Sequence, residues 1–210
     1  MPITAQNTGK TFELVPAGNH IARCFQMIEI GTVTEEIMKK QKRLYKVRIS
    51  WELPNEKKVF DQAKGEQPFS ISKKYTLSMH EKSNMRKDLE SWRGKGFTDD
   101  EAKAFDITKL LGVPCMVNII HKTSQGGNQY AAISSVTPMP KGMLCPPQIN
   151  STFVLSYDDV DWDSKYLTLP DYVKELIETT PEFHKRLDAG HNDIGDEPVV
   201  TQDTGDDLPF

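Results

Sequence analysis

From Leu44 to Leu53 apolar and polar side chains alternate. Tyr45, Val47, Ile49, Trp51 and Leu53 fall on one face, and Leu44, Lys46, Arg48, Ser50 and Glu52 on the other. A period of two is the mark of a half-buried strand. The alternation returns over Phe69 to Met79, with Phe69, Ile71, Tyr75, Leu77 and Met79 on the apolar side, interrupted there by Lys73. Upstream, His20 to Ile30 is dense in strand formers. The polar, basic stretch 32–43 and the charged stretch 54–67 read as loops on either side of the 44–53 strand. Between residues 81 and 94 the period lengthens: Met85, Leu89 and Trp92 recur at helical spacing, and Gly94 and Gly96 end the helix. Thr98 with Glu101 forms a capping box that starts a short second helix at Asp99. Val113 to His121 and Tyr130 to Val136 are two more strands, joined by a hairpin turn over 123–128.

Three strands, a helix and two strands is the order of an OB-fold. The chain is therefore expected to be mainly β: a five-stranded OB-like barrel with a helical insert between strands three and four. Residues 1–17 read as an arm and 18–147 as the barrel. Residues 148–187 form an extension with an edge strand near 152–157 and a helix over 170–187 interrupted at Pro181. From Asp188 to Phe210 there are 7 acidic residues and no Lys or Arg. Too little apolar surface is available there to offset ordering, so a disordered acidic tail is expected.

Charge sharpens this division. Residues 1–147 carry 22 Lys and Arg against 15 Asp and Glu, or +7. Residues 148–210 carry 4 against 15, or −11, which together give the net −4. A basic body with an acidic end suggests a polyanion site and a separate tail. Cys24, Cys115 and Cys145 are too scattered for a disulfide framework and point to a reducing cytoplasm. There is no apolar run of membrane-spanning length and no leader-like start. Neither a phosphate-binding glycine loop nor a zinc spacing is present, so no catalysis, cofactor or metal is expected. The acidic cluster Asp158, Asp159, Asp161 and Asp163 reads as a solvated stretch.

The chain ends Asp206-Asp207-Leu208-Pro209-Phe210. A terminal ring and carboxylate behind two acids is a portable ligand: the ring enters a pocket, a partner cation clamps the carboxylate, and the acids dock on basic charge. This tip resembles that of bacterial single-stranded DNA-binding proteins, with Leu for Ile and Gly205 in place of an acid. The resemblance implies that Asp206, Asp207, Leu208, Pro209 and Phe210 recruit replication, recombination and repair proteins. The body, over about 12–145, is similar to phage-encoded proteins thought to bind single-stranded DNA. The likeness is carried by Leu89-Glu90-Ser91-Trp92-Arg93-Gly94-Lys95, Phe97-Thr98, Asp106 to Gly112, Cys115 and Tyr130-Ala131. That implies a phage or mobile-element protein acting in the bacterial host cytoplasm or nucleoid.

Single-strand binding without sequence preference needs cations for phosphates and aromatic faces for bases. OB-folds place both on strands two and three and the flanking loops. The candidate cations are Lys39, Lys40, Lys42, Arg43, Lys46, Arg48, Lys73, Lys74 and Lys122, with Arg93 and Lys95 after the helix. Tyr130 is the candidate stacking residue beside the 4–5 loop. Trp51 and Tyr75 share the apolar faces, where packing competes with stacking, and both remain candidate contacts. Two other functions fit the same features: a strand-annealing recombination protein, and an interaction module that presents the tail without touching DNA. The 148–187 extension either caps the barrel or drives homo-oligomer formation, and the sequence leaves both open.

Overall fold

The computed structural model describes residues 13–192. Five strands form one curled antiparallel sheet, an OB-like half-barrel: β1 (Gly18–Ile37), β2 (Lys40–Asp61), β3 (Gly65–Thr76), β4 (Pro114–Thr123) and β5 (Gln129–Thr137), in the order β3-β2-β1-β4-β5. The alternating faces fold as the period requires. Val47, Ile49, Trp51 and Leu53 of β2 meet Phe69, Ile71 and Tyr75 of β3 in the interior. In β1, Ala22 and Cys24 enter the same core, and a bulge between Cys24 and Gln26 shifts the parity so that Met27 does too.

Helix α1 (Asn84–Arg93) lies between β3 and β4. The Ser83 hydroxyl accepts from the Arg86 amide at its start, and Gly94 ends it in the left-handed conformation with φ 67°. Its stripe of Met85, Leu89 and Trp92 enters the barrel core, where the Trp92 ring lies 5.8 Å from that of Trp51. Helix α2 (Asp99–Lys103) begins with both bonds of the Thr98–Glu101 capping box.

Two stretches expected as loops are paired. Residues 32–37 continue β1 and 40–43 begin β2, joined by a tight turn at Met38 and Lys39, both at positive φ (53° and 59°). Most of 54–67 also belongs to a hairpin, because β2 runs on to Asp61 after a register shift past Leu53. Charged residues therefore decorate ribbons that project from the barrel.

The extension makes a second layer. Strand β6 (Phe153–Leu155) pairs parallel with Gln26 to Ile28 of β1, covering the edge of β1 that β4 leaves beyond Arg23. Helices α3 (Trp162–Leu167), α4 (Asp171–Glu178) and α5 (Pro181–Asn192) follow. Trp162, Leu169, Val173 and Ile177 pack with Leu155 on Ile28 and Ile30, so β1 is buried on both faces. Helix α3 begins within the acidic stretch: Asp158, Asp161 and Asp163 are exposed, as a solvated stretch requires, while Trp162 between them is 2 % exposed and Lys165 binds Asp159 and Asp161 at 2.8 and 2.9 Å. Helix α5 begins at the anticipated break, Pro181, and runs past Asp188 to Asn192.

Two carboxylate contacts fasten this layer. Glu52, expected on an open face, is fully buried and accepts from the amides of Ile149 and Asn150 at 2.8 and 2.7 Å and from Asn150 Nδ2 at 2.8 Å. Glu182 of α5 accepts from the Thr32 amide and hydroxyl at 2.8 and 2.6 Å. Gly31 permits that approach: at φ 103°, a Cβ there would meet the Glu182 carboxylate at 2.8 Å and the Thr180 hydroxyl at 2.9 Å.

Candidate nucleic-acid interface

The outer face of β2 and β3 is built by pairing even-numbered residues across the strands: Lys46 opposite Thr76, Arg48 opposite Lys74, Ser50 opposite Ser72, and Glu52 opposite Ser70. Two cavities adjoin this face and the free edge of β3, so residues of both faces of β3 line them. One, of about 520 Å³, is lined by Lys42, Lys46, Lys73, Lys74, Lys82 and His80, with no carboxylate among its lining residues. The other, of about 660 Å³, is lined by Arg48, Lys74, Ser70, Ser72, Phe60 and Tyr172, and also by Glu13, whose carboxylate binds Lys58. Lys74 lines both, so the two cavities adjoin; this pair is the candidate channel.

Several of the expected cations have partners within the fold. Lys46 binds Glu35 at 2.8 Å, and its side chain is 12 % exposed. Lys73 belongs to the interior side of β3, which is why it interrupts the apolar alternation. It binds Asp88 of α1 at 2.6 Å, and the Tyr75 hydroxyl donates to the same carboxylate at 2.8 Å. Arg48 donates to Gln26 and Ser50 at 3.0 Å each and to the Tyr172 hydroxyl at 2.8 Å. Burial pulls the Arg48 guanidinium below its ordinary pKa, against the opposing effect of Tyr172. Among the described residues, Lys42, Lys74 and Lys82 line the channel, are exposed, and form no ion pair.

Not every anticipated contact reaches this channel. Trp51 is 1 % and Tyr75 4 % exposed, so neither ring can stack on a base. Burial, then the neighbouring Asp88 carboxylate, pushes the Tyr75 phenol well above its usual range. Arg93 is also removed: it binds Glu101 at 2.8 Å and covers the Phe97 ring at 4.0 Å. Lys95 is exposed beside the same Glu101, at 3.6 Å. Lys39, Lys40 and Arg43 are exposed on the β1–β2 ribbon but line neither cavity. Lys122 and Tyr130 face each other across the β4–β5 pair, both exposed, and Ala131 next to them lines the larger cavity. Asp206 to Phe210 lie outside the described residues.

Among the lining residues not singled out in the sequence are two aromatic and two basic ones, Phe60, Tyr172, His80 and Lys82. Phe60 was masked by the charges around it, because a register shift breaks the alternation that would have flagged it. Tyr172 belongs to the helix expected over 170–187 and precedes the fully buried Val173, yet it is 54 % exposed. His80 and Lys82 precede α1 and become part of the channel only because α1 packs against β3.

Among the described residues there is no cluster of three or more metal-ligating side chains, and no helix long and apolar enough to cross a membrane. No protein-family model matches the chain, and no curated protein matches it.

Proposed function

We propose that the chain binds single-stranded DNA along the outer face of β2 and β3 and recruits replication, recombination and repair proteins through Asp206 to Phe210. The observation that carries this reading is the pair of adjoining cavities whose exposed cations, Lys42, Lys74 and Lys82, lack carboxylate partners among the described residues. Unpaired cations aligned in one groove are what a phosphate backbone neutralises. Exposed aromatic rings beside them serve unstacked bases, which a duplex does not offer. By its resemblance, the terminal Leu208-Pro209-Phe210 behind two acids supplies the partner-binding function, and the likeness over 12–145 sets the activity in phage DNA metabolism.

The test is a fluorescence-anisotropy titration of a labelled oligo-dT across a salt series, with duplex of equal length as competitor. Affinity should fall steeply with salt, and duplex should compete poorly. Replacing Lys42, Lys74 and Lys82 together by Ala should flatten the log–log salt slope by about 2, at about 0.7 per phosphate on single strands. Over a fourfold change in salt, that removes roughly 20-fold of the loss in affinity. No binding by the wild type, or an unchanged slope in the triple variant, overturns the proposal.

A further inference from the structure

We propose that the C-terminal extension forms one wall of the DNA channel, and that Tyr172 of α4 and Phe60 of the β2–β3 hairpin are its base-stacking residues; this rests on the single-strand reading above. The two rings come from elements more than a hundred residues apart and line the same cavity of about 660 Å³. They are 54 % and 57 % exposed, whereas Trp51, Phe69, Tyr75, Trp92 and Phe97 are each 7 % exposed or less.

Each ring is held in place before any ligand arrives. Phe60 meets Phe69 edge-on at 5.0 Å and 81°, which fixes its plane. Tyr172 accepts a hydrogen bond from Arg48 Nη2 at 2.8 Å, with the guanidinium 5.6 Å from its ring centroid. Its helix is anchored by Val173 and Ile177, both fully buried against β1. The spacing on α4 does two jobs: residues 173 and 177 face the sheet, while Tyr172 and Leu176, also four apart, line the channel. Arg48 and Lys74 with the Ser70 and Ser72 hydroxyls complete the lining. Rings and cations in one cavity divide the labour that single-strand binding requires: stacking at the walls and phosphate contact between them. Rings held rigid before binding lose little side-chain entropy on contact, which favours their use as stacking platforms.

The experiment compares Phe60→Ala, Tyr172→Ala and Tyr172→Phe with the wild-type full chain, on oligo-dT and on an abasic oligonucleotide of equal length. Thermal melts check folding. Each alanine variant should lose about 5- to 100-fold affinity for oligo-dT, the range of one lost base stack. On the abasic backbone both should match the wild type. Tyr172→Phe keeps the ring and loses only the Arg48 bond, so it should bind oligo-dT within about twofold of the wild type. Alanine variants that bind oligo-dT as the wild type does overturn the stacking role and leave the cation-based reading standing. Equal losses on dT and abasic strands also overturn it, since that would place both residues in channel shape. Failure of the wild type on both oligonucleotides would instead remove the single-strand reading itself.

Discussion

Glu52 offers the sharpest measurement of how the extension is held. Its carboxylate is fully buried on the outer face of β2 and receives three hydrogen bonds from Ile149 and Asn150. In Glu52→Gln the side chain keeps its shape, but one oxygen becomes an amide nitrogen. With the remaining oxygen facing the two Asn150 donors, the new amide confronts the Ile149 amide, donor against donor. One charge-assisted bond is lost outright, two weaken to neutral strength, and a buried N–H is left unsatisfied. Together these cost about 2–4 kcal/mol. Glu52→Ala strands all three donors and opens a void, for about 3–5 kcal/mol. At about 2–4 °C per kcal/mol for a chain of this size, Glu52→Gln should melt roughly 4–16 °C lower. Urea unfolding followed by tryptophan fluorescence reads the change. Trp162 reports the extension, and Trp51 and Trp92 report the barrel. If Glu52→Gln costs less than about 0.5 kcal/mol, the carboxylate clamp is not holding 148–150 to the sheet and the reasoning fails.

Other outcomes follow from the same geometry. Gly31→Ala should destabilise by about 2–4 kcal/mol, combining backbone strain with a collision against Glu182 and Thr180, and a melting point within 1–2 °C of wild type would contradict it. Burial raises the Glu182 carboxyl, but the bonds from Thr32 and the nearby Arg43 charge outweigh it and hold the pKa below the ordinary 4.5. The folded-state value is thus depressed, so its stabilisation is complete above about 4.5 and is lost as pH falls through the lower folded value. Fluorescence of Trp162 should stay flat from pH 7 to 5 and change only in more acid solution, and a transition near pH 6 would show that another group controls α5. Deleting Leu208 to Phe210 should leave oligo-dT affinity within about twofold while abolishing capture of a purified protein that binds bacterial single-strand-binding tails. Lost DNA affinity would disprove the separation of the two surfaces.

What the chain alone determined is the part governed by near neighbours. Period-two runs at 44–53 and 69–79, the helical spacing of Met85, Leu89 and Trp92, the Thr98–Glu101 box and the turn at 123–128 each depend on residues a few positions apart. Those contacts were legible, and with them the mainly β order and the basic character of the 39–48 and 73–74 segments. Tertiary structure decided which polar positions remain open. Lys46, Lys73 and Arg93 look alike as unpaired cations in one dimension, yet Glu35, Asp88 and Glu101 take them up in three. Glu52 and Ser50 lie on the polar side of a half-buried strand until a segment almost a hundred residues later folds over Glu52. Tyr172 and Phe60 come together for the same reason. An alternating pattern specifies which side of a strand a residue occupies, but what covers that side depends on packing between distant segments, which no local period encodes.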